Sequence, residues 1–188
     1  MRLPTMLVGP LLAWHWNLLH QNHPIMATRS FIRRLEVKLD EVFFVFWQLP
    51  KQLNSASKRL GLDTLRSDVL ARAQAFQARA AELLLVLQKW GGRKPYPCDC
   101  PDLAVELNEL RHAAKTPAPE YWLYTRTMRI ANKLSGMVHE RLLQARRLAV
   151  LLGEQVLAAD INALLKEERE SAAHLGKAQG GSMPADGS

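Results

Sequence analysis

From Glu120 to about Ala173 the chain holds an uninterrupted helical period of apolar residues, weakened only at Gly136 and Gly153. A segment of that length and period commits the chain to helices and leaves little room for a sheet. As a single helix it would measure roughly 80 Å at 1.5 Å per residue, which a compact domain rarely supports, so a break near Gly153 is expected. Ala131, Val138, Leu142, Ala145, Ala149 and Leu152 share one side of this segment and form its core stripe.

Three further helices are predicted upstream. The first runs from about Thr28 to Leu49, with Phe31, Leu35, Leu39, Val42, Phe46 and Leu49 spaced by three and four. Thr28 or Ser30 is its expected cap, and Pro50 its expected stop. The run VFFVFW (42–47) is apolar all round, which marks a core position or a contact with a partner helix. The second runs from a capping Asp63 to Trp90, with Leu65, Val69, Phe76, Ala80, Leu83 and Leu87 inward, and ends at Gly91-Gly92. After a Pro/Gly-rich connector (91–101), a short third helix spans Pro101 to Lys115 with Leu103, Leu107 and Leu110 inward. No strand alternation persists. The expected fold is therefore all-α, an antiparallel bundle of four or five helices with a long fourth helix.

A length of 188 residues suits one bundle domain, placed at 26–175, with a flexible tail at 176–188. Residues 1–25 imitate a signal peptide, but Pro4, Gly9 and Pro10 break the apolar run and no clear cleavage site follows. They read as an N-terminal arm or an over-extended gene start, with Met26 as the native start. The run is also too short and interrupted to span a bilayer. Cys98 and Cys100 are too few for a disulfide framework, so a reducing cytoplasm is expected.

The formal charge of +7 is unevenly spread. Residues 51–97 hold nine Lys/Arg against three acids, whereas residues 151–175 hold two against five. Between 121 and 150 six cations (Arg126, Arg129, Lys133, Arg141, Arg146, Arg147) face one acid, Glu140. Helical geometry places Arg126, Arg129, Lys133 and Arg147 within about 60° of one another, and Trp122 shares the stripe. Several cations along a surface suit phosphates, and a ring beside them suits base stacking. Trp122, Arg126, Arg129, Lys133 and Arg147 are accordingly the candidate binding residues for single-stranded DNA. A solvated helix face, with Trp122 packed beneath the 115–119 loop, is the competing structural explanation. Tyr121 and Tyr124 point nearer the core. Arg66, Arg72 and Arg79, with Lys89, Arg93 and Lys94, form a second basic group: ordinary solubilisation alone, a groove wall if it adjoins the first stripe.

No catalytic pattern is present, and the expectation is a non-enzymatic protein without cofactor or metal. The Cys98-x-Cys100 pair with Asp99, Asp102 and His112 lacks zinc spacing. His139-Glu140 does not extend to a metalloprotease motif because position 143 is Leu, and a phosphate loop is missing. The alternative function is a helical adaptor that grips an acidic segment of a protein partner through the same cations. Membrane-surface binding ranks last, because the apolar faces are consumed by the bundle.

The segment LYTRTMRIANKLSGMVHERLLQARRLA (123–149) resembles the C-terminal helical region of primosomal replication protein N″, through Lys133-Leu134, Met137-Val138 and Glu140-Arg141. LEVKLDEV (35–42) and VLARAQAFQARAAELLLVLQ (69–88) are similar to its N-terminal helices. The resemblance implies an all-α bundle that binds single-stranded DNA at forks and contacts the acidic tail of single-stranded-DNA-binding protein. It gives Arg126, Arg129, Lys133 and Arg141 the counterpart role. The chain also resembles helical accessory proteins of integrative conjugative elements, which implies a mobile-element setting.

Overall fold

The computed structural model describes residues 10–96 and 100–166, with side chains from Thr28 onward. Four long helices are α1 (Pro10–Ser57), α2 (Asp63–Lys89), α3 (Pro101–Lys115) and α4 (Glu120–Leu151). A fifth, α5, is helical from 155 to 166. Among the described residues there is no strand, and the fold is an all-α bundle.

Pairings fix the directions. Asp40 meets Arg93 and Phe46 meets Phe76, so α1 and α2 are antiparallel. On α4, Arg126, Lys133 and Arg141 meet Glu109, Glu106 and Asp102 of α3 in descending order, so those helices are antiparallel too. Helix α1 touches α2, α3 and α4 and forms the spine of the bundle. Its buried side chains Leu35, Leu39, Val42, Val45, Phe46, Leu49 and Leu53 join one core with Val69, Phe76, Leu83 and Leu87 of α2 and Leu103, Leu107 and Leu110 of α3. The core stripe of α4 is buried as the period demands, from Ala131 through Ala149, and Leu152 packs partly against it.

The long segment breaks where glycine permits. Gly153 sits at φ 76°, its amide bonds Val150 O, and the Glu154 amide reaches back to Ala149 O. That is the paired 5→2 and 6→1 closure of a helix ended by a left-handed residue. Leu157, Ile161, Leu164 and Leu165 of α5 then return to the core. Residues 167–173 of the predicted segment and the predicted tail at 176–188 lie outside the described residues.

Several expected boundaries are different. Helix α1 begins at Pro10, so the backbone of 10–25 continues the helix instead of forming a separate arm. Residues 1–9 lie outside the described residues. Nor does Pro50 stop α1: the helix runs on to Ser57, burying Leu53 and Ala56 beyond it. Proline costs about 3 kcal/mol inside a helix. Burying Leu49 and Leu53 on either side, at ~1.5–3 kcal/mol each, outweighs that cost.

Asp63 is the first residue of α2 and not its cap; Leu62 precedes it without a side-chain cap bond. The amides of Gly61 and Leu62 instead donate to the Glu120 carboxylate at 2.9 and 3.1 Å. The α3 carbonyl end is held from outside as well, where Arg59 Nη1 donates to Ala114 O and Thr116 O, both at 2.7 Å. VFFVFW divides its faces. Val42, Val45 and Phe46 are buried, while Trp47 is half exposed, stacked on Phe43 and under the Lys51 ammonium.

Candidate functional site

The predicted stripe meets acids of the same chain along part of its length. Helix α3 lies along the head of α4 and sets its acids against the stripe's cations. Arg126 Nη2 is 2.8 Å from Glu109 Oε1, and Lys133 Nζ is 2.6 Å from Glu106 Oε1. Glu106 is itself buried, so Lys133 is the counter-charge that makes its burial tolerable. Arg129 shares Glu109 only at 4.0 Å and remains 73% exposed. Trp122 is 42% exposed, and the Arg126 guanidinium covers its ring with 5.2 Å to the centroid. One ring face and, counting the long Arg129–Glu109 contact, three of the four cations are therefore already engaged within the chain.

Arg141, which the family resemblance adds to the set, is the most enclosed. Its Nε donates to Glu41 of α1 at 2.9 Å, its Nη1 to Met137 O at 3.2 Å, and its Nη2 to Asp102 at the start of α3. Burial opposes the ionisation of Asp102, but the hydrogen bond and charge of Arg141, with backbone amides, hold its carboxyl below the usual range. Arg141 thus ties three helices together and has a structural role.

The second basic group is not a solubilising face. Arg72 and Arg79 are buried and flank the Phe76 ring at 5.0 and 5.4 Å, with Arg72 Nη2 donating to Ser135 Oγ and Asn132 Oδ1. Arg66 closes its own loop by donating to Leu60 O, and Arg93 binds Asp40 through both terminal nitrogens, at 3.0 and 2.6 Å. Arg72, Arg79 and Arg93 are drawn inward because their planar heads find side-chain oxygens, a carboxylate and a ring there. Helical spacing carries no sign of such partners. Tyr121 also departs from expectation, at 73% exposed, whereas Tyr124 packs on the core and donates to Asp68.

Arg147 belongs to a different place. It lines a cleft of about 400 Å³ between α1 and α4, together with Arg33, Arg34, Val37, Lys38, Gln144 and Leu148. Val37 and Leu148 are its apolar lining residues. Four cations rim it. Lys38 is held by Glu41 at 2.8 Å, but Arg33, Arg34 and Arg147 make no ion pair among the described residues. Sequence reasoning named Arg147 and missed Arg33, Arg34 and Lys38. The available signal was the RRLEVK run (33–38), three cations within six residues of the first predicted helix.

No cluster of metal-ligating side chains occurs among the described residues. Cys100 is buried at the start of α3. Cys98 and Asp99 of the weighed metal pattern lie outside the described residues. Among those residues no helix is long and apolar enough to cross a membrane.

No family model matches this chain, and no curated protein matches it. Its fold is similar to the solved structure of "YcfI, a putative structural protein from Rhodopseudomonas palustris", with a TM-score of 0.65 and 20% identity. The match covers 76% of this chain and 90% of that one, and shows a shared helical architecture.

Proposed function

We propose that the protein is a non-enzymatic helical adaptor that grips an acidic segment of a protein partner in the α1–α4 cleft. The observation that carries this reading is the contrast in charge pairing. Arg33, Arg34 and Arg147 line a largely apolar cleft and make no ion pair among the described residues, whereas Arg126 and Lys133 are matched to Glu109 and Glu106. An apolar lining beside several cations suits a peptide that brings both carboxylates and an aliphatic or aromatic side chain.

Single-stranded DNA along α4 is the competing reading, favoured by the exposure of Arg129 beside Trp122. Its difficulty is energetic. Phosphate would have to displace Glu109 from Arg126 and Glu106 from Lys133, and the buried Glu106 would then lose its counter-charge. The cleft itself holds no aromatic ring on which a base could stack. A replication or mobile-element setting rests on the family resemblances alone. Within that setting, an acidic tail on a single-stranded-DNA-binding protein is one partner with the required chemistry.

Titration of a labelled acidic, leucine-containing peptide and of a labelled oligothymidylate, followed by anisotropy, separates the readings. The peptide should bind, and Arg34→Glu or Arg147→Glu should weaken it by about tenfold or more, ~1.4 kcal/mol. If only the oligonucleotide binds, with log affinity falling by ~0.7 per phosphate against log salt, the DNA reading replaces this one.

A further inference from the structure

The cleft is the continuation of the groove that α3 already occupies. Glu41 of α1 and Arg141 of α4 meet Asp102 in the first turn of α3. Counting back from Glu41, Lys38, Val37 and Arg34 are three, four and seven residues away, on the same face of α1. Counting forward from Arg141, Gln144 and Leu148 are three and seven residues away, on the same face of α4. These are cleft residues. The face pair that seats α3 therefore runs on past its N-terminus, where α3 no longer covers it.

Helix α3 shows what that groove accepts. Its acids Asp102, Glu106 and Glu109 meet the cations Arg141, Lys133 and Arg126 of α4. Its leucines Leu103, Leu107 and Leu110, each one residue after an acid, enter the core. The occupant is thus an amphipathic helix with acids at i, i+4 and i+7 and leucines one position later. The open continuation repeats both demands, with Arg34, Lys38 and Arg147 as its cations and Val37 and Leu148 as its apolar lining. From Glu41 back to Arg33 is eight residues, about 12 Å or two helical turns.

Resting on the adaptor reading, we propose that the cleft takes about two turns of an acidic amphipathic helix from a partner protein, seated in line with α3. Continuity with the α3 seat and complementarity of charge select this occupant over an extended tail. The partner helix presents its carboxylates to Arg34 and Arg147 and a leucine-sized side chain to Val37 and Leu148. This is recognition of a helix in a groove, with α3 as the internal template for its register.

The test compares three labelled peptides of equal length and charge against the full chain. One is stapled as a helix and carries the α3 acid and leucine spacing. The second has that composition shuffled under the same staple, and the third is unstapled with a central proline. The registered helix should bind about tenfold or more tightly than the others. Arg147→Glu should abolish that preference, and Arg126→Ala should leave it unchanged. Equal binding of all three overturns the helical inference while the adaptor reading stands. Binding by none overturns both. A preference lost in Arg126→Ala and kept in Arg147→Glu means the peptide displaces α3, which also overturns the inference.

Discussion

The two ends of the α1–α4 groove carry similar cations and meet different fates. At the end near the α4 N-terminus, α3 covers the groove and returns a carboxylate for Arg126, Lys133 and Arg141. Toward the α4 C-terminus α3 ends, and Arg33, Arg34 and Arg147 line a cleft and make no ion pair among the described residues. A count of basic residues along a helix cannot separate these cases. What separates them is whether another element of the same chain supplies the counter-charge, and that depends on where a 15-residue helix happens to begin.

If the covered half is held by apolar burial more than by its ion pairs, shortening a leucine should cost most. Leu110 is fully buried in the shared core. Leu110→Ala should lower unfolding stability by about 2–5 kcal/mol, read from chemical denaturation. A loss under 1 kcal/mol would mean that α3 is a loose cover, and the distinction between covered and open halves would weaken.

The boundary between the halves is Arg141. Its side chain is 13% exposed and bridges Glu41 and Asp102. Removing it strands Glu41 only partly, because Lys38 still pairs with that carboxylate at 2.8 Å. Arg141→Ala should therefore cost less than the leucine, about 1–3 kcal/mol. A change indistinguishable from zero would show that the three-helix tie is ornamental.

Much of the bundle was legible because burial imposes a period. The inner faces of α2 and α3 follow from three-and-four spacing and are buried, save Leu65, which packs partly against the core, and Gly153 marks the end of α4. Pro50 misled because a local rule met a helix whose flanking leucines are buried on both sides. The site was harder to read. Arg72 and Arg79 look like surface cations in a helical wheel, and only tertiary packing shows that Phe76 and Ser135 receive them. The stripe on α4 was legible only as a row of cations, since the acids that meet Arg126 and Lys133 come from 17 and 27 residues away. Arg147 was found, but its companions on α1 were not, because separation along the chain hides a shared cleft.

Acid should blur the boundary before it touches the open half. Asp102 has its pKa lowered in the fold, so its contribution is present at neutral pH. That contribution is fully present above the unfolded carboxyl value of about 4 and fades as pH falls through the lower folded one. Asp102→Asn should therefore be less stable than the parent at pH 7, with the gap closing below about pH 4. The carboxylate is 55% exposed, so the gap should be small. A gap that stays constant down to pH 2 would contradict the Arg141 pairing.

The smallest effect on folding is expected where binding should suffer most. Arg147 is exposed and has no partner acid among the described residues, so the fold gains little from its charge. Arg147→Ala should change stability by no more than about 0.5 kcal/mol, the range of ordinary surface substitutions. Removing an unpaired cation beside Arg33, Arg34 and Lys38 also relieves like-charge repulsion, so the sign should tend toward stabilisation. That balance follows if the rim is kept for an external anion: the charge lowers binding free energy only when the cleft is filled. Denaturation of Arg147→Ala with and without acidic peptide measures both halves of the statement. The parent should gain stability with peptide by mass action, and the variant should gain much less. A variant that loses 2 kcal/mol in the absence of peptide would instead make Arg147 part of the scaffold, and the open end of the groove would be no different in kind from the covered one.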